Sequence, residues 1–425
     1  MTSIHSVISR FKKSKDGKRL AKNFGYLSLL ELASHFFPLI TLPYLARTIG
    51  TEGFGILAIG ASVVHYFQSF TNYGFEYLAV RDLARNRDNV QESSRIVFTT
   101  FFSKLFLMLV SIAIVAVLIW LVPFFSRYSV VIWCTFLLLP GHALTTDWVF
   151  QAYEEMQFIT IRSLFSKLFF TLMVFVVIRS KDDYLWQPVL NAIGFLIPAI
   201  WGLIVLVRRY HLKLMVPSLN TVWGEMKRGF NMFITVFLPT IYTNLNVLIL
   251  GAYNSNYATG IYNGGSKFTG LAFSFFKLIS RTVYPFFARR MDKHKFYVWF
   301  SLAVAILISL FFFFLARPIV AIFLGPEFKE TVKVLRIVAF TPIAMSLMNS
   351  YGVNYLVLKG RERLMSRIIL CVTVFGVIIG IIGAIRYSFI GVAVASLVTQ
   401  MLRALLITYY ARRIDKEELL AKQQI

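Results

Sequence analysis

Lys267, Lys277 and Arg281 place three positive charges in a stretch, Gly260 to Phe286, built otherwise of apolar, small and neutral polar residues. On a helix Lys267 and Arg281 fall about 40° apart and Lys277 and Arg281 form an i, i+4 pair, so the three share one broad face. At 1.5 Å per residue that face runs through roughly 20 Å. It could compensate the phosphates of an anionic headgroup that has left water, or the three cations could snorkel or be salt-bridged as structure. Lys104 is another cation deep in an apolar run, whereas Lys333, Arg336 and Arg403 stand near the ends of theirs. Glu31 and Asp147 are the clear acids in such runs, with His35 and Gln151 four residues on. Each acid could be a proton or Na⁺ site coupled to transport, or a hydrogen-bonded contact between packed helices. Thr243, Asn244 and Asn246, following Pro239, suit a polar cavity wall or the same interhelical bonding.

Other chemistries find no residues. The chain has no G-x-x-x-x-G-K-[ST] loop for a nucleotide and no His or Cys spacing for a metal, so neither metal nor cofactor is expected. Glu154 and Glu155 are adjacent, and helical neighbours point about 100° apart, which is wrong for a paired acid and base. Cys134 and Cys371 sit in apolar runs and count as small hydrophobic residues. An enzyme is not expected.

The elements that hold these residues are membrane spans. Of 425 residues 57% are hydrophobic and 15% charged, too apolar for a water-soluble core to hide. A net charge of +24 would suggest nucleic acid in a soluble protein, but here Lys and Arg occur in loop-spaced clusters, so no nucleic-acid partner is expected. Runs of about 20 apolar residues predict twelve helices: Phe24 to Ala46, Phe54 to Tyr73, Val97 to Val122, Val130 to Phe150, Thr160 to Ile178, Pro188 to Val207, Phe230 to Leu250, Gly260 to Phe286, Tyr297 to Leu315, Val332 to Leu358, Ile368 to Ile385 and Phe389 to Tyr410. With both termini cytoplasmic, the inner segments hold 30 Lys and Arg, Arg162 and Lys167 among them, and the outer loops seven. The resulting domains are a basic segment 1–22, a six-helix lobe 23–210, a cytoplasmic linker 211–228, a second lobe 229–410 and a cytoplasmic tail 411–425. Ile4, Val7, Ile8 and Phe11 repeat at helical spacing among basic residues, as in a helix lying on the inner leaflet or, equally, a solvated tail. Gly55-Ile56-Leu57 and Gly260-Ile261-Tyr262 repeat at an offset of 205, and Ala84-Arg85 and Ala288-Arg289 at 204, consistent with parallel six-helix halves.

Four strings carry a resemblance: LPYLARTIGTEGFG at Leu42 to Gly55, YGFEYLAVRDLARNRD at Tyr73 to Asp88, DWVFQAYEEM at Asp147 to Met156 and GIYNGGSKF at Gly260 to Phe268. With Pro342, Asn349, Gly352, Leu356 and Gly360 they resemble, in order and over nearly the whole chain, the Wzx-type polysaccharide repeat-unit flippases of the multidrug/oligosaccharidyl-lipid/polysaccharide exporter superfamily. The resemblance implies an all-α integral membrane fold of twelve transmembrane helices in two pseudo-symmetric six-helix lobes around a central cationic cavity. It further implies a substrate, an oligosaccharide repeat unit on undecaprenyl pyrophosphate, moved to the outer leaflet of the bacterial cytoplasmic membrane for O-antigen, capsule or exopolysaccharide assembly. Coupling to H⁺ or Na⁺, membrane lipids as surroundings, and a polysaccharide polymerase and chain-length regulator as partners belong to the same expectation. The string GIYNGGSKF assigns Lys267 to the substrate path; Lys104, Lys277 and Arg281 join it on depth and charge. Ala152 stands where family members often have Gly, a departure at the turn after the fourth span. A drug or cation antiporter of the same superfamily would prefer an acidic cavity, and a membrane glycosyltransferase or polymerase a large outer loop, neither of which this chain offers.

Overall fold

The computed structural model describes the backbone of residues 15–287 and 294–423. Ile4, Val7, Ile8 and Phe11 lie outside the described residues, as do Ala288, Arg289 and Arg290. All regular secondary structure among the described residues is helical. Eight helical stretches there are long and apolar enough to cross a bilayer, so the chain is a multi-pass membrane protein.

The first helix, α1 (Lys15–Asn72), contains two sequence-derived spans, separated where Gly50 leaves helical geometry at φ 68° and ψ −177°. A side chain at that φ would be strained, and glycine is not. After α1 come α2 (Phe75–Asn86) and α3 (Val90–Leu121). The stretch 74–96, which the spans ending at Tyr73 and starting at Val97 leave as a loop, is helical on both sides of a short turn, and α2 buries Phe75, Ala79 and Leu83 at i, i+4, i+8. The span Val130 to Phe150 is broken. Following α4 (Pro123–Arg127), it forms α5 (Ser129–Phe136), α6 (Leu138–Ala143) and α7 (Asp147–Ala152); at the first break Pro140 has no N–H to give Phe136. Then α8 (Met156–Val177) and α9 (Trp186–Tyr210) run across the bilayer region uninterrupted.

The second half begins with α10 (Leu219–Tyr253) and α11 (Asn256–Phe287). These lead to α12 (His294–Phe314) and the short α13 (Ala316–Phe323). The span Val332 to Leu358 is also segmented, into α14 (Thr331–Val338), α15 (Thr341–Leu347) and a π-helical turn Met348–Val357, with Pro342 opening α15. The last helix, α16 (Glu362–Gln423), again holds two spans, parted at Ser388 (φ 51°, ψ −136°).

The chain forms two compact units. One comprises residues up to Thr48 with Gly60–Ile241, the other Ile49–Ile59 with Tyr242–Ile425. The division therefore falls inside α10 rather than in the 211–228 segment expected from the charge clusters. The first unit has its core around Phe98, Phe101, Trp148, Phe150 and Leu206. The second has one around Tyr355, Leu356, Ile368 and Ile407.

Within the second unit, the repeat at offset 205 becomes a contact. A Cβ on Gly55 would strike the carbonyl of Asn256, and one on Gly260 the carbonyl of Thr51. Thr51 and Asn256 are themselves 205 apart. The contact is reciprocal, as between the two members of an internal repeat, and glycine lets the backbones meet. Gly260→Val is expected to lower stability by about 1–3 kcal/mol, since backbone atoms cannot rotate away. Gly270→Ala, where nothing lies within 4 Å, supplies the control. Equal melting temperatures for the two variants in detergent would show that the close approach is not required.

Candidate functional site

Helix α11 has two unlike faces. One is packed inside its own unit: Gly264 lies against Leu324 and Phe328, Gly265 against Val334, and Phe268 against the rings of Phe312 and Phe323 at 6.4 and 6.0 Å. Small residues let α13 and α14 approach, and Phe268 and Phe276 fill the remaining space. The opposite face carries Asn263, Lys267, Gly270 and Ser274, which recur at i, i+4, i+7, i+11. Lys267 is exposed and has no hydrogen bond or ion pair among the described residues. The helix continues without a break through residues 277 and 281, so their backbone register with Lys267 is the one the spacing predicted. The side chains of Lys277 and Arg281 lie outside the described residues.

The first unit treats its charges differently. Lys104 is fully buried on α3, and its Nζ donates to Glu76 Oε1 at 2.8 Å. The cation assigned to the substrate path on depth and charge is thus one half of a neutral pair. Asp147 is likewise held by a basic partner. Arg162 Nε donates to Oδ1 at 2.7 Å and its Nη2 to Oδ2, the fork geometry that suits guanidinium and carboxylate. The charge pattern counts Arg162 among the cytoplasmic residues, whereas the structure buries it in α8 at 5% exposure. Both acids occupy the first turns of short helices, α2 and α7, where the peptide dipoles favour negative charge. The two pairs and His142 lie within Coulombic range of one another. Two cations and two anions cancel, so this cluster is a compensated polar core.

Glu76 is the residue missed in the sequence. Its signal was a helix start, Gly74 followed by an acid in the first turn of an amphipathic repeat, inside a segment read as a loop. The other proposed residues divide. Glu31 is half-buried, engaged by interactions of its own and within Coulombic range of Lys167. Asn246 is buried and its Nδ2 donates to Tyr262 Oη at 3.1 Å, bridging α10 and α11. Asn244 is half-buried and engaged. The side chains of His35 and Thr243 lie outside the described residues. Lys333 pairs with Glu330 at 2.7 Å, and Arg336 sits 5.7 Å from the Phe313 ring.

The family described as "Polysaccharide biosynthesis protein" matches residues 20–291, more than half of the sequence. The chain belongs to that family. The Wzx-type resemblance of its strings agrees with this membership. Among relatives of this family member is a protein of Escherichia coli (strain K12) named "Putative O-antigen transporter". It is 25% identical over 401 residues, covering 92% of this chain and 97% of its own. A protein of Shigella dysenteriae with the same name is 25% identical over 355 residues, with 82% and 89% covered. Among solved structures, an inward-facing multidrug resistance MATE family transporter of the MOP superfamily aligns with a TM-score of 0.68 at 11% identity, over 95% of this chain and all of that one. Lipid II flippase MurJ in an inward closed conformation aligns at 0.62 and 15% identity, over 90% and 87%. These last two establish the fold that this family member shares, an all-helical membrane transporter fold.

A second polar assembly of the family member lies in its second unit. His294 Nε2 sits 2.9 Å from the Ser350 carbonyl, Asn354 Nδ2 donates to Tyr297 Oη at 3.3 Å, and Ser280 Oγ donates to Asn354 Oδ1 at 3.3 Å. The π-helical turn supplies Ser350 and Asn354.

Proposed function

We propose that the chain is a flippase carrying an undecaprenyl-pyrophosphate-linked oligosaccharide repeat unit from the cytoplasmic to the outer leaflet by alternating access, for O-antigen, capsule or exopolysaccharide assembly. The observation that carries this reading is Lys267: an exposed cation in a membrane protein of this family, on a polar helix face, without a partner among the described residues. A lysine held in hydrocarbon is costly, so it is retained where an anion meets it. Lys277 and Arg281 continue its register toward the end of α11. The relatives named for O-antigen transport and the flippase among the structural neighbours support the same class of cargo.

The full architecture belongs to this proposal. Twelve crossings with both termini cytoplasmic satisfy the 30-to-7 distribution of Lys and Arg. Two six-helix lobes around a central cavity would accommodate a headgroup that has left water, in the cytoplasmic membrane and beside a polymerase and chain-length regulator. Coupling to H⁺ or Na⁺ would act through a carboxylate. The two carboxylates proposed for it are Asp147, paired with Arg162, and Glu31, within Coulombic range of Lys167.

The test is the leaflet distribution of the lipid-linked repeat unit in cells lacking this protein. We expect the glycolipid to accumulate on the cytoplasmic leaflet and to return outward on complementation. An unchanged distribution, with surface polysaccharide intact, would overturn the assignment.

A further inference from the structure

The described surface of the first unit carries a groove of about 550 Å³ between α8 and α9, lined by Phe158, Trp201, Ile204, Val205, Arg208 and Arg209. Its surroundings show which solvent it faces. Ile161, Phe165, Leu168 and Leu172 on α8 are all exposed and recur at i, i+4, i+7, i+11; Ile193, Ile197, Ile200 and Ile204 do the same on α9 at i, i+4, i+7, i+11. Two parallel apolar stripes of this length face acyl chains. The opposite side of α9 packs inward through Ala192, Ala199, Gly202 and Leu206.

Both arginines close the same end of the groove, in the last turn of α9, just before the chain leaves helical geometry. They are not equivalent. Arg209 is tied down: it pairs with Glu155 at 2.6 Å and lies 5.4 Å from the Phe158 ring, while Tyr210 donates to the other oxygen of Glu155 at 2.9 Å. Arg208 is exposed and has no hydrogen bond, ion pair or ring contact among the described residues. The site is therefore a shallow, open groove with apolar walls that ends at one fixed and one available guanidinium. The indole of Trp201 lines the same groove, and tryptophan is enriched where membrane meets water.

We propose that this groove binds an anionic phospholipid. The phosphodiester is received by Arg208 and approached by Arg209, and one acyl chain lies against Phe158, Trp201 and Ile204. Guanidinium suits phosphate by its planar set of donors, and a basic pocket between transmembrane helices at the membrane surface is where anionic headgroups are held. The proposal does not rest on the flippase assignment; it needs only that α8 and α9 cross a bilayer.

The full-length protein is reconstituted in phosphatidylcholine vesicles containing either brominated phosphatidylglycerol or brominated phosphatidylcholine, and tryptophan quenching is recorded. The difference between the wild type and Trp201→Phe isolates the signal from this groove. We expect half-maximal quenching of Trp201 at about fivefold lower mole fraction of the anionic lipid, the preference of one basic residue near an anionic surface. Arg208→Gln should erase the preference and Arg208→Lys should keep most of it. Equal quenching by the two lipids, or an undiminished preference in Arg208→Gln, overturns the proposal. So does protection of Trp201 by undecaprenyl phosphate but not by phosphatidylglycerol, which would make the groove an entry for the polyprenyl lipid instead.

Discussion

Glu76→Gln is expected to destabilise the protein by about 3 kcal/mol, within the range for removing one partner of a buried ion pair. Lys104 has no access to solvent, and Glu76 is its hydrogen-bonded anion at 2.8 Å. Without that carboxylate, Lys104 must either lose its proton or draw water into the core. The reverse change, Lys104→Met, should cost less, because the Glu76 side chain is 37% exposed and keeps part of its hydration. The double variant, with both charges gone, should recover much of the loss, since no unpaired charge remains. Glu330→Gln is the comparison: it breaks a pair whose lysine side chain is 60% exposed, and pairs of that kind are worth at most about 1 kcal/mol. Unfolding in mixed detergent measures all four. If Glu76→Gln and Glu330→Gln melt alike, Lys104 is not dependent on its partner and the compensated core is wrong.

Lys267→Glu should produce the largest effect on transport. A pyrophosphate in a region poor in water needs fixed positive charge, and a charged hydrogen bond there is worth about 1.5–3 kcal/mol. Losing one corresponds to roughly 10- to 100-fold in rate. Charge reversal adds repulsion to that loss. Lys267→Arg should retain most activity and Lys267→Ala should fall between. Protein abundance in the membrane should stay at the wild-type level for all three, because Lys267 makes no hydrogen bond or ion pair among the described residues that its removal would break. The measurement is surface polysaccharide together with glycolipid on the inner leaflet. Full polysaccharide from Lys267→Glu at normal abundance would remove Lys267 from the substrate path.

The sequence by itself determined that this is an all-helical, multi-pass membrane protein, because runs near 20 apolar residues and clustered basic loops have few other physical solutions. It also determined the shared face of residues 267, 277 and 281, since helical register follows from spacing once α11 is continuous. Family membership was legible too, carried by strings such as GIYNGGSKF whose order along the chain is more specific than any one of them.

What only the tertiary structure decided was which intramembrane charges have partners. Lys104 and Lys267 look alike in sequence, each a lysine in an apolar helix. One is paired because α2, a segment taken for a loop, brings Glu76 across 28 positions to meet it. The other lies on a helix face to which no described residue brings an anion. Arg162 and Asp147 were placed in different environments for the same reason: their pairing depends on the short turn between α7 and α8, which hydropathy does not record. Hydropathy and period describe each segment against its solvent, whereas the compensation of a buried charge is a property of two segments at once, and the chain must fold before either has a partner.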